Sequence, residues 1–217
     1  MPFLVAHRAG NDLGRLRRAE SLGIPLIEAD VHLFAGRLEV RHLKTVGPLP
    51  ILWDRWELAP PWRPRLLLGD LLATAAPPTE LMLDLKGRDP RLARAVAACL
   101  DRHGDGRRVT VCSRTWRLLR PLEGRPDVRV VHSVGSRRQL AALRRLLGYR
   151  AVDGVSIHRR LLDAPVTAAL KRDVGLLVSW PVETAEEARR LAAWGVDGLI
   201  TTRFDALAGV LAGGEAA

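Results

Sequence analysis

Apolar positions along this chain come in two alternating textures. Short, nearly unbroken runs of Val, Ile and Leu recur eight times: FLVAH at 3–7, PLIEADVHL at 25–33, LMLDLK at 81–86, RVTVCS at 108–113, VRVVHSV at 128–134, VDGVSIH at 152–158, VGLLVSW at 174–180 and VDGLIT at 196–201. Strands written this way are apolar on both faces, the mark of a parallel sheet covered by helices. Between the runs the spacing turns helical, with start and stop signals. Asp89-Pro90 offers an N-cap and a first-turn proline, and Gly104 ends that helix. Ser136 with Gln139 forms a capping box before LAALRRLL, stopped by Gly148. Thr184 with Glu187 forms another before ARRLAAW, stopped by Gly195. Eight such units in 217 residues predict an α/β fold, a compact (β/α)8 TIM barrel, as one domain over 1–217. A doubly wound open sheet is the other home for these units, but no Gly-rich dinucleotide fingerprint follows the first strand.

One connection breaks the rhythm. Residues 34–80 separate the second and third runs. They hold a predicted hairpin return (LFAGRLEVRHL), the Pro- and Trp-rich stretch PILWDRWELAPPWRP, and a predicted helix near 66–75. Long βα connections lie at the carboxyl end of barrel strands, where sites are built. Trp53, Trp56 and Trp62 in this stretch read as clamps holding the loop to the barrel, with an aromatic lid as the other reading. The tail after Gly209 is small and polar and is expected to fray.

Composition removes several classes. With 47% hydrophobic and 27% charged residues the chain is neither disordered nor fibrous. Cys99 and Cys112 lack any zinc spacing and read as buried thiols. No apolar run reaches the ~20 residues of a membrane helix, and the N-terminus lacks a secretory layout, so a cytoplasmic protein is expected. The net charge of +10 invites a nucleic-acid reading. Against it, 31 of the 34 basic residues are Arg, scattered in pairs such as Arg17–Arg18 and Arg144–Arg145, which reads as compositional bias on a solvated surface.

Ionisable residues gather where barrel strands end, although interior positions there favour branched apolar side chains. His7 and Arg8 close the first run, Glu28 and Asp30 share one face of the second, and Asp84 and Lys86 share one face of the third. His42 arrives on the returning hairpin. Three converging carboxylates repel unless a cation joins them, and all-oxygen ligation suits Mg²⁺ or Ca²⁺. Arg8 and Lys86 then make the site net positive and suited to a phosphate, with two histidines at hand as acid and base. Asp84 and Lys86 as a plain buried ion pair is the competing reading.

These motifs resemble the glycerophosphodiester phosphodiesterase family of barrel enzymes. The resemblance rests on Ala6-His7-Arg8-Ala9, Glu28-Ala29-Asp30-Val31, His42, Leu83-Asp84-Leu85-Lys86, Val178-Ser179-Trp180-Pro181-Val182 and Gly195-Val196-Asp197-Gly198-Leu199-Ile200-Thr201, in that order over nearly the whole chain. It implies His7 and His42 as the acid/base pair, Arg8 and Lys86 on the phosphate, Glu28, Asp30 and Asp84 on the metal, and Trp180 lining the pocket. The implied reaction is metal-dependent hydrolysis of a small-molecule glycerophosphodiester to glycerol 3-phosphate and an alcohol. The sequence departs from the pattern at Ala9 (usually Gly), at Leu43 (usually Asp), at Asp84 (usually Glu), and in keeping only Asn11 of a Pro-Glu-Asn stretch. Other readings of the same residues are a phospholipase D-type lyase forming a cyclic phosphate, a non-catalytic phosphate-ester-binding descendant, and a Schiff-base aldolase using Lys86. His32, His132 and His158 read as structural or substrate-contacting residues.

Overall fold

The computed structural model describes residues 2–46, 49–54, 57–59 and 64–212. In chain order the strands are β1 (Phe3–Ala6), β2 (Leu26–Phe34), β3 (Arg37–Val40), β4 (Lys44–Val46), β5 (Leu49–Asp54), β6 (Glu57–Ala59), β7 (Leu66–Leu67), β8 (Glu80–Leu85), β9 (Val109–Ser113), β10 (Val128–Val134), β11 (Val152–His158), β12 (Val174–Trp180) and β13 (Gly198–Thr201). The helices are α1 (Leu13–Ser21), α2 (Leu68–Thr74), α3 (Arg91–His103), α4 (Arg137–Leu147), α5 (Ala164–Leu170), α6 (Ala185–Ala193) and α7 (Phe204–Ala212).

Strands β1, β2 and β8 to β13 correspond to the eight apolar runs. They pair in parallel in chain order, and β13 returns to β1, which closes the barrel. The seam is short on one side: β1 meets β13 over Phe3↔Gly198 to Ala6↔Thr201, but meets β2 only at Val5↔Leu26 and Ala6↔Ile27. Alternation along each strand divides the core. Val5, Leu26, Met82, Val131 and Ile200 fill the interior, while Leu4, Ile27, Leu83 and Val130 pack outward among the helices. This is the eight-stranded parallel barrel with surrounding helices that the pattern predicts.

The capping boxes form with one shift. Ser136 Oγ and Thr184 Oγ1 accept from the backbone N–H of Gln139 and Glu187. The partner side chains reach past the cap, to the N–H of Gly135 and Glu183. The cap of α3 falls one residue later than expected, at Pro90, and Asp89 before it accepts from Arg91 N–H at 2.9 Å. One helix of the pattern is absent. Between β9 and β10 the chain makes two 3₁₀ turns, Trp116–Leu118 and Arg120–Leu122, because Pro121 and Gly124 interrupt a full helix. At the other end α7 runs through Gly209 to Ala212, beyond the expected fraying point; residues 213–217 lie outside the described residues.

The 34–80 connection contains the predicted hairpin and the predicted helix, which is α2. β2 turns at Ala35-Gly36 into antiparallel β3, and β7 adds to β3. A separate antiparallel sheet, β4-β5-β6, was not foreseen. Trp53 on β5 is 44% exposed, so it does not clamp the loop by burial; Trp56 and Trp62 lie outside the described residues. No helix among the described residues is long and apolar enough to cross a membrane.

Candidate active site

β2 brings Glu28 and Asp30 to the carboxyl mouth of the barrel, and β8 brings Asp84 beside them in the register Asp30↔Asp84. One carboxylate oxygen of each lies within 4.8 Å of the others, a group that could hold a metal ion. Glu28 and Asp30 are almost fully buried, at 4% and 0% exposure. Burial, and then the charge of Asp30, push the Glu28 carboxyl well above its ordinary range. Burial also raises Asp84, against the pull of Lys86. Asp30 goes the other way: burial favours its neutral form, but His42, Lys86 and Asn11 outweigh it and hold the carboxyl far below the usual range.

Lys86 completes the charge cluster. Its Nζ lies 2.7 Å from Asp30 Oδ1 and also bonds Asp84 Oδ2. Burial disfavours the charged amine, yet Asp84, Asp30 and Glu28 together keep it protonated beyond the ordinary range. A protonated amine cannot attack a carbonyl, which argues against the imine reading.

The loop after β1 wraps over β2. Arg8 adopts a left-handed conformation, with φ 57°, and its backbone N–H donates to Glu28 Oε2 at 2.7 Å. Its side-chain Nε stands 3.7 Å from Asp30. Gly10 permits this close approach, since a Cβ there would stand 2.7 Å from Ala29 Cβ. Asn11 then reaches Asp30 twice: its amide nitrogen donates to Oδ2, and its oxygen accepts from the Asp30 backbone N–H, both at 2.8 Å. Asn11 had no assigned role in the sequence reading. A single Asn left from a longer motif, just before a helix, was its one signal.

His7 Nε2 faces Glu28 Oε2 at 3.9 Å, and its pKa is pulled down to about 4 by burial and then by Arg8. His42 Nδ1 stands 3.3 Å from Asp30 Oδ2. Leu43 stands where a following Asp is usual, and His42 faces the carboxylate of Asp30 on β2. The hairpin is fixed on both sides of His42. Arg41 N–H donates to the Asp30 carbonyl, and the Arg41 guanidinium binds Glu39 and the Leu43 carbonyl. Arg65 reaches the same Glu39 oxygen at 3.1 Å. Beside Arg8, Asn11 and His42 opens a cleft of about 890 Å³.

The remaining candidates divide. Trp180, at the end of β12, packs on the interior cluster and meets His158 edge-to-face at 4.9 Å. His32 lies within β2, not in the turn, and burial brings its pKa to about 3. His132 packs edge-to-face on Trp116, away from the carboxylates. Cys99 and Cys112 are free, buried thiols.

No protein-family model matches the sequence, and a search of curated proteins returns no match. Solved structures do match, over nearly full length, and glycerophosphodiester phosphodiesterases are among them. A phosphodiesterase of Oleispira antarctica, solved with the product sn-glycerol-3-phosphate, superposes with TM-score 0.79 at 16% identity, covering 98% of this chain and 97% of that one. A glycerophosphodiester phosphodiesterase of Parabacteroides distasonis gives 0.73 at 20%, covering 97% and 98%. That of Thermotoga maritima gives 0.71 at 15%, covering 95% and 98%. Similarity at this level establishes the fold.

Proposed function

We propose that this protein is a metal-dependent phosphodiesterase that hydrolyses a glycerophosphodiester to glycerol 3-phosphate and an alcohol. One observation carries the reading: three carboxylates from two neighbouring strands converge at the barrel mouth, with two cations and two histidines around them. The fold shared with the Oleispira antarctica phosphodiesterase, whose product is sn-glycerol-3-phosphate, supports that choice of product.

Glu28, Asp30 and Asp84 would hold Mg²⁺ or Ca²⁺, because their donor set is all oxygen and the like charges of the buried cluster need a cation. When bound, such an ion polarises a phosphoryl oxygen. Arg8 and Lys86 bind the phosphate and compensate its charge. His7, kept neutral by burial, takes the proton of the nucleophile, which is water or a hydroxyl of the substrate itself. His42 gives a proton to the leaving alkoxide.

The test is release of glycerol 3-phosphate from several glycerophosphodiesters across Mg²⁺, Ca²⁺ and chelator. His7→Ala and His42→Ala should each lower turnover by about 10²–10⁴ with the fold intact, and the double variant by less than the product of the two. Absence of any metal-dependent release overturns the reading. A cyclic phosphate as final product replaces hydrolysis by the lyase reaction.

A further inference from the structure

The barrel mouth carries a cation that the proposed reaction does not use. Arg114 directly follows β9, and extending the register Asp84↔Cys112 by two residues sets it level with Lys86 on the inward face. Cys112, below it on that face, belongs to the interior cluster. The guanidinium leans towards the end of β10. A Cβ on Gly135, just beyond β10, would stand 2.7 Å from Arg114 Nη2 and 2.9 Å from its Cζ, so the missing side chain at Gly135 is what makes room. Beyond it stands His158, edge-to-face with Trp180. Burial lowers the His158 pKa first, and the charges of Arg159, Arg160 and Arg114 add to this.

Arg114 is exposed, and among the described residues no carboxylate lies within ion-pair distance of it. Three other arginines near strand ends do have such partners: Arg125 has Asp127, Arg150 has Glu123 and Arg159 has Glu187. An unpaired, exposed guanidinium fork at the barrel rim is suited to a carboxylate, which it can bind through two parallel hydrogen bonds.

We infer that Arg114 is a specificity-determining residue, taking a carboxylate carried by the phosphoester whose phosphate lies at the Glu28, Asp30 and Asp84 wall. The inference rests on the phosphoester reading of that wall. It narrows the substrate class to phosphoesters that bear a second anionic group a few bonds from phosphorus.

The experiment compares two probes by calorimetry on the full chain with Mg²⁺: sn-glycerol 3-phosphate and 3-phosphoglycerate, which differ by a terminal carboxylate. The parent should bind 3-phosphoglycerate about tenfold more tightly, as expected for one charge-assisted contact. Arg114→Gln should bring the two affinities together, and Arg114→Lys should recover part of the difference because charge returns without the fork. Gly135→Ala should also shrink the preference, by displacing the guanidinium with its charge intact. Equal affinities in the parent, or a preference that survives Arg114→Gln, overturn the inference while leaving the phosphoester reading in place. Binding of neither probe overturns both.

Discussion

At the scale of single residues, Asp84 is under the most competing demands. Its carboxylate bonds Lys86, neighbours the Cys112 thiol and contributes to the acidic cluster from a fixed strand. A Glu at this position would extend one methylene further towards Glu28 and Asp30. Asp84→Glu is therefore expected to tighten Mg²⁺ binding and preserve turnover, whereas Asp84→Ala should abolish metal-dependent turnover by removing an anionic ligand. Calorimetric metal titration of the three proteins decides this. Undiminished affinity in Asp84→Ala would leave Asp84 as only the partner of Lys86. The acidic and basic members of the cluster were legible in the sequence because charge at a barrel strand end is costly and so conspicuous. Asn11 and Arg41 were not. Their roles depend on where a loop and a hairpin cross β2, and that crossing has no local signature.

Among the elements, legibility followed burial. Strands covered on both faces appear as continuous apolar runs, and all eight were found. β4, β6 and β7 are only two or three residues long, and β5 pairs with the first two inside a Pro- and Trp-rich stretch, so no apolar run announces them. The β2–β3 hairpin shows how turn chemistry can be suboptimal yet tolerated. Ala35 sits at φ 47° and is exposed, ahead of Gly36 at φ 77°. A two-residue turn with both centres left-handed prefers Asn-Gly. Ala35→Asn should stabilise the protein by about 0.5–1 kcal/mol, a rise in melting temperature of about 2–3 °C. An unchanged or lower melting temperature would show that the turn carries no such strain.

For the whole molecule, buried imidazoles tie stability to pH. His132 is 4% exposed and has its pKa lowered, first by burial and then by Arg150. The unfolded chain therefore binds its proton at higher pH than the folded one. The contribution is complete above the unfolded value near 6.5 and is lost as pH falls below it towards the folded value. His132→Gln should accordingly lose less melting temperature than the parent between pH 7.5 and 5.5; equal losses would remove His132 from the effect. The seam of the barrel has a different consequence, in the order of synthesis. All seven residues with a proposed part in the reaction lie before residue 87, yet the His7 backbone N–H is held by the Thr201 carbonyl on β13. On the ribosome these residues emerge before β13 and must wait for their final wall. A chain interrupted before β13 would contain every group proposed to react and still leave His7 at an open sheet edge, so synthesis of β13 acts as a checkpoint on assembly of the site.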